Sequence, residues 1–453
     1  MIAALLTAAL LAVLCLALLA SPWPFLAPFA VIGLFALAAL YRRPAWGLIG
    51  LILLVPFEGL FQDMNLSGAK LLGGALILVV ALQFLQRRIP ERYLAGNLWR
   101  PLLLLLLCIT LSFMFSTNKP LSGSNLRELA IGMVLFPVTL LIGRQLNLVR
   151  LCQVMTLSVA VTCIIAIYSS NHQVGGRAIG LLQDANYFAL LIAMALPLAV
   201  LMLLQATTLP RRLFWLGIVI LLLAGMTKTD SRSGLVVLLL CMMIGAWHHR
   251  ERLRRLRPKH LGFVMFGAAL VLPLALTFLP DDYVERIKSL TLLKSGVNAH
   301  LDPSLGRRAS YLLVGGEMIA DNPMTGSGPG TFPVRYAFSG YAKAFSDNQS
   351  EQNLYRRAHN TYLEVFSEMG IPAGLFFIAL IWLGLLNFIR ARRSWLARDD
   401  RSMADMSTHL GLSLLAISLF LIFLSAPNHK YLWILLALSC VMRQQAENRR
   451  AVE

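Results

Sequence analysis

The residues best suited to chemistry lie in a polar stretch from about Leu279 to Gly370, between two long apolar tracts. It holds Arg307 and Arg308 and ends in Arg356-Arg357-Ala358-His359-Asn360. A guanidinium fork matches the oxygens of a phosphate, and an imidazole that titrates near neutrality can take a proton from a hydroxyl. Long segments without structure are usually functional or disordered. This one keeps aromatics, glycines and periodic apolar positions, which argues against disorder. Two more arginines lie in short polar loops upstream. Arg177 sits in Gly175-Gly176-Arg177-Ala178-Ile179-Gly180, followed by Asp184-Ala185-Asn186, and Arg232 sits in Thr229-Asp230-Ser231-Arg232-Ser233-Gly234.

The elements that must position these groups are membrane spans. The 453 residues are 58% hydrophobic with a mean hydropathy of +0.70. Apolar runs of about 17–25 residues, the length that crosses a bilayer, recur from end to end. The expected fold is an all-α polytopic membrane protein with about 12–14 transmembrane helices, residues 1–453 forming a single membrane domain. Residues 1–20 read as a retained first span, since no basic n-region or A-x-A site accompanies them. Run centres fall near residues 12, 33, 52, 78, 108, 136, 160, 194, 220, 241, 270, 380, 416 and 437. The third run and the last, Tyr431 to Met442, are short for full crossings. The six cysteines all lie inside apolar runs without ligand spacing and read as small buried hydrophobes.

Net charge of +18 would suit a nucleic-acid partner, but its distribution points to a membrane instead. With a cytoplasmic N-terminus, the cytoplasmic connections hold 24 of the 40 Lys and Arg residues and the opposite short loops hold seven. That is the positive-inside pattern. It puts both termini in the cytoplasm and residues 280–370 outside, as a partly helical periplasmic loop between the helices near 270 and 380. The cytoplasmic arginines read as orientation signals that contact anionic membrane lipid. The outward arginines run against the orientation rule. Each has a plain alternative: a loop charge for Arg177, a helix cap or Asp230 partner for Arg232, a solvated pair for Arg307 and Arg308. His359 could equally be a capping or solvated histidine. Their common side of the membrane favours a shared role.

Within the loop, Arg308 to Ile319 has helical spacing and Asp321-Asn322-Pro323 stops it. Gly326-Ser327-Gly328-Pro329-Gly330 reads as a tight turn that lets backbone approach backbone or ligand. Thr361 to Met369 reads as an amphipathic helix with Tyr362, Val365, Phe366 and Met369 on one face, redirected at Gly370-Ile371-Pro372. His359 therefore stands just ahead of a helix. An outward enzyme using a polyprenyl-diphosphate donor would need fixed positive charge for the diphosphate and a base for the attacking hydroxyl. No nucleotide-binding glycine motif is present, and no cofactor is expected. The outward carboxylates Glu58, Asp63, Asp281 and Asp282 lack ligand spacing, so no metal site is expected.

The ordered elements resemble those of the O-antigen ligase and polymerase superfamily. Ser231-Arg232-Ser233-Gly234 is similar to its S-R-[SG]-G element. Arg308, its helix and Asp321 to Phe332 resemble its arginine followed by D-x-P-L-x-G-x-G-P-G-x-F. His359-Asn360 with Gly370 matches H-[NSQ]-x₉-G, and Arg177, Gly180 and Asn186 resemble R-x-x-G…N. The resemblance runs from about Arg177 to Gly374. It implies en bloc transfer of a glycan from undecaprenyl diphosphate on the periplasmic face of the bacterial inner membrane, without metal. His359 would be the base, Arg177, Arg232, Arg307 and Arg308 would hold the diphosphate, and Asn186 and Asn360 would support them. After Gly370 the chain reads Ile371-Pro372-Ala373-Gly374-Leu375, unlike the G-x-x-G-T-M of well-matched lipopolysaccharide ligases. The acceptor stays open among lipid A core, protein and growing polysaccharide. A polymerase or a protein O-oligosaccharyltransferase would use the same chemistry. A lipid-linked glycan flippase would place ionisable groups at mid-membrane, where this chain has almost none. An envelope scaffold would not need His359 and the arginines in this order.

The charge bias generates a test of topology. Cysteines introduced at Ser339 and Ser350 should react with an impermeant thiol reagent in intact spheroplasts. Reaction only after lysis would put the loop in the cytoplasm.

Overall fold

In lipid a chain must satisfy its own backbone N–H and C=O groups, so apolar runs of this length become helices. The computed structural model describes residues 26–61, 68–182, 184–250, 303–344 and 354–448, with a few positions before residue 23. The expected spans centred near residues 12 and 270 lie largely outside these, as do Cys15, Asp63, Asp281, Asp282, His300 and Ser350.

The protein is an all-α polytopic membrane protein. Helix α1 (Leu26–Arg42) meets α2 (Pro44–Leu54) at a 114° bend, where Pro44 opens the second helix. Then come α3 (Gly68–Leu85), α4 (Trp99–Met114), α5 (Lys119–Met133), its continuation α6 (Leu135–Ile142), and α7 (Leu148–Tyr168). A hairpin of β1 (Gln173–Val174) and β2 (Arg177–Ala178) precedes α8 (Ala185–Gln205), α9 (Leu209–Lys228) and α10 (Arg232–His248). The later elements are α11 (Pro303–Asp321), the short α12 (Phe332–Ala337) and α13 (Gly340–Ala344), and α14 (Thr361–Met369). The chain closes with α15 (Ile371–Leu396), α16 (Arg401–Phe420) and α17 (Lys430–Asn448). Among the described residues seven helices are long and apolar enough to span, and the bent pair would make eight. The shorter α4 and α10 have the same apolar character.

Helix α8 lies at the centre of the bundle. Its Ala, Leu and Met side chains from Phe188 to Leu198 are almost all buried, and it packs against α7, α9 and α16. Polar groups of α16 tie the two helices together: Ser413 Oγ donates to Met194 O at 2.8 Å, and His409 Nδ1 lies 2.6 Å from Pro197 O. Cys152, Cys163, Cys241 and Cys440 are buried and Cys108 is partly buried, all unpaired, in line with the expected role.

At the end of the bundle that carries α11 to α14, a second small core forms around Tyr311, Val314, Met318, Phe332 and Tyr336. Helix α11 starts at Pro303, five residues before the expected Arg308, and ends at Asp321 as expected. Helix α14 occupies the expected residues because Asn360 Oδ1 caps it from Leu363 N and Gly370, at φ +87°, turns the chain out of it. The glycine-rich turn wraps the C-terminal end of α14. Gly328 N donates to Glu368 O at 2.8 Å, Ser327 N to Ser367 O at 3.2 Å, and Ile371 N to Pro323 O at 2.8 Å. A Cβ on Gly370 would stand 2.3 Å from Met324 O, so a side chain there is excluded by space as well as by φ.

The turn hangs on one carboxylate. Glu368, 4% exposed, accepts from Gly330 N at 2.7 Å and Phe332 N at 3.0 Å. Glu368→Ala leaves two buried donors unmet, at about 1–3 kcal/mol for each. Thermal unfolding of the full chain in detergent should therefore begin at a lower temperature than in wild type, while Glu317→Ala on the exposed face of α11 should leave it unchanged. Equal unfolding temperatures would show that other contacts hold the turn.

Candidate active site

The site assembles from two clusters at one end of the bundle. The first is built on the hairpin. Gly175 and Gly176 both have positive φ, which suits a two-residue hairpin loop and sets Arg177 opposite Val174. From there the guanidinium reaches two other segments: Nε donates to Thr229 O at 3.0 Å and Nη2 to Asn186 Oδ1 at 3.2 Å. Asn186 Oδ1 also accepts from Ser231 Oγ at 3.0 Å, and Ser231 caps α10 through Gly234 N. Arg232 is the first residue of that helix, directly after this knot. Arg177, Asn186 and the turn at Thr229–Ser231 thus meet, the Arg177–Thr229 bond spanning 52 positions, and Asp230 in that turn is in the left-handed region, φ +49°.

The second cluster surrounds His359. This residue is also left-handed, φ +48°, a backbone state of some cost for a non-glycine residue and one that concentrates at functional sites. Glu364 fixes the chain on one side of it, accepting from Ala358 N at 3.1 Å and from Arg357 through both Nε and Nη2. On the other side Thr361 N bonds Leu421 O and Leu424 O, while Thr361 Oγ1 donates to Leu424 O at 2.6 Å. The imidazole lies 6.1 Å from the Tyr311 ring, centroid to centroid. Among the described residues neither ring nitrogen bonds to the chain.

The clusters communicate through charge. Burial lowers the pKa of His359, Asp184 opposes this, and Arg308 lowers it further. Asp184 is also the N-cap of α8, accepting from Asn186 N and Tyr187 N at 2.7 and 2.8 Å. The cap of α8, the Arg177 partner Asn186 and the field on His359 therefore belong to one turn of chain. Arg307 acts on Tyr311, beside the same imidazole. All seven residues singled out from the sequence lie at this end, with Asn360 acting as a helix cap and Asn186 as a bridge.

Three other histidines could compete for the role of base: His172, His300 and His429. His172 is partly buried at the root of the hairpin loop, and His300 lies outside the described residues. His429 is 1% exposed and stacked on Tyr187 at 5.2 Å, and burial, reinforced by Lys430, pushes its pKa down to about 3. It is sealed from any substrate. Glu58, weighed above as an outward carboxylate, accepts from Lys430 Nζ. Sequence reasoning missed Glu364, Glu368 and Asp184. Only Asp184 carried a signal, its position one residue before a helix start.

Residues 217–378, about a third of the chain, match the family model described as O-antigen ligase. The matched stretch takes in Arg232, Arg307, Arg308, His359 and Asn360, while Arg177 and Asn186 precede it. No curated protein matches the chain significantly. The match supports a membrane enzyme that transfers glycans.

The electrostatics generate a titration test. His359 should titrate below the ordinary value of 6.5, so it is neutral at pH 7. Asp184→Asn removes a charge that favours imidazolium and should lower the value further, whereas Arg308→Gln should raise it. Carbon-detected NMR of labelled histidine resolves the direction of each change. Identical titration in all three proteins would separate His359 from both charges.

Proposed function

We propose, taking residues 217–378 as an O-antigen ligase-family segment, that the protein transfers a glycan en bloc from undecaprenyl diphosphate to an acceptor hydroxyl. The observation that carries this reading is that the hairpin of Arg177, the start of α10 at Arg232, and the charge of Arg308 acting on the unbonded imidazole of His359 belong to a single end of the bundle. Arg177, Arg232, Arg307 and Arg308 would hold the diphosphate, whose anionic leaving group needs no further activation. His359, kept neutral by burial and by Arg308, would take the proton from the acceptor hydroxyl as that oxygen attacks the anomeric carbon. The carbon–oxygen bond to the diphosphate breaks, and undecaprenyl diphosphate leaves with its charge on the arginines. Residues 280–370 would lie in the periplasm and both termini in the cytoplasm of a bacterial inner-membrane protein. The candidate residues lie at one end of the bundle and not along its middle, which favours catalysis at one membrane face over translocation through the middle.

Purified full-length protein with a lipid-linked glycan and its acceptor tests the roles. A positioned general base contributes about 10²–10⁴-fold, so His359→Ala should lose transfer by that factor and keep donor binding. His172→Ala should stay active. Loss in His172→Ala with full activity in His359→Ala would move the base to the hairpin loop. Replacing Arg177, Arg232 or Arg308 by lysine keeps the charge and loses the fork, and should impair donor use. Wild-type activity in all three would remove the diphosphate clamp.

A further inference from the structure

Two apolar clefts of about 370 and 190 Å³ flank α10, against α8 and α16 on one side and α15 and α16 on the other. They have the lining expected of helices in lipid. A smaller recess at the site end differs in kind. It measures about 20 Å³, and four segments supply its polar lining: Asn125 and Glu128 from α5, Gly330 from the turn, Arg357 and Glu368 around α14, and Asn428 from the loop before α17. Space of this size holds one water or one hydroxyl.

The hydrogen-bonding state of the lining says what would fit. Arg357 is taken by Glu364, both Glu368 oxygens by backbone N–H groups, and Asn125 Nδ2 by Leu121 O. Among the described residues the Asn428 amide, Asn125 Oδ1 and the Glu128 carboxylate bond to no group of the chain. These offer a donor and several acceptors, the complement of a hydroxyl that both gives and receives. They do not suit an anion, because the carboxylates of Glu364 and Glu128 stand around Arg357. The site end is therefore divided. The amide–carboxylate recess differs in chemistry from the arginine cluster, and His359 lies two residues from Arg357 along the chain.

We propose that this recess is an acceptor subsite that takes a sugar hydroxyl neighbouring the one that reacts, with Asn428, Asn125 and Glu128 as its hydrogen-bond partners. The proposal rests on the glycan-transfer reading and narrows it: the acceptor is a saccharide. The lipid-linked diphosphate stays on the arginine side.

The test uses the full chain in nanodiscs and core oligosaccharide released from rough lipopolysaccharide, with binding read by saturation-transfer NMR. Losing the partners of one hydroxyl should weaken binding about tenfold. Asn428→Ala and Asn125→Ala should each show this, raise the acceptor KM by a similar factor, and leave the donor KM and kcat unchanged. Asn125 packs closely on Gly330, so Asn428→Ala and Asn428→Asp carry the test if Asn125→Ala misfolds. Glu128→Gln, which keeps one acceptor oxygen, should weaken binding less than Asn428→Ala does. Weakened binding in the Asn428 variants supports the subsite even where His359→Ala still transfers, an outcome that removes only the base. Equal binding in wild type and Asn428→Ala, no binding by wild type, or an equal rise in donor KM would overturn it and leave the recess a water site.

Discussion

Two buried carboxylates one helical turn apart hold the site end of this molecule in shape. Helix α14 has nine residues, fewer than an isolated helix needs to persist in water. Glu364 faces back along the chain and clasps Arg357 and the Ala358 N–H, while Glu368 faces across and clasps the Gly330 and Phe332 N–H groups. One helix thereby fixes both the strained turn at His359 and the glycine-rich turn that follows α11. The arrangement has an internal tension. Burial, and then the charge of Glu364, pushes the pKa of Glu368 up to about 8, against the two N–H donors that favour its ionised form. A buried carboxylate with such donors is costly to leave half satisfied, which is why the glycines that allow the close approach are fixed by space as well as by φ.

A second constraint comes from the bundle. The N-termini of α8 and α10 arrive at the same end because α9 carries the chain back between them, and Ser231 Oγ joins them there through Asn186 Oδ1. Arg177 then acts as a tie, joining the hairpin to the last carbonyls of α9 and to Asn186. Ser231 caps α10 and Asp184 caps α8 beside it. An arginine committed to a carbonyl and an amide has a defined position, and a defined position is what oriented recognition of an anion by a planar guanidinium requires.

Much of this was legible in the sequence, and the failures have a common cause. Apolar run length gave the spans, and Asn360 with Gly370-Ile371-Pro372 gave both ends of α14, because caps and glycine turns act locally. The start of α11 was placed five residues late, since Pro303 was not read as a first helical residue. The glycine turn was read correctly as a close approach, but whether backbone or ligand lay opposite depends on residues some forty positions away. Glu364 and Glu368 were invisible for the same reason: carboxylates on a short polar helix look like a solvated face until the turn and Arg357 close over them. The short hairpin passed unread although Gly175-Gly176 is a strong hairpin signal, because two-residue strands carry no alternation to detect.

Burial and neighbouring guanidinium groups together weaken His359 as a base. Arg308 and burial both disfavour imidazolium, and alone they would leave His359 a weak base. Asp184 and Glu364 oppose them from either side, yet each is already engaged, one as a helix cap and the other in the Arg357 fork. Neither carboxylate can therefore move to meet the imidazole, and the balance has to be struck by field. On the proposed reading, an incoming diphosphate adds negative charge next to Arg308 and offsets its effect on the ring. His359 would then become more basic once the donor is seated, before the acceptor hydroxyl must give up its proton. The same arginines that hold the leaving group would in this way also time the base.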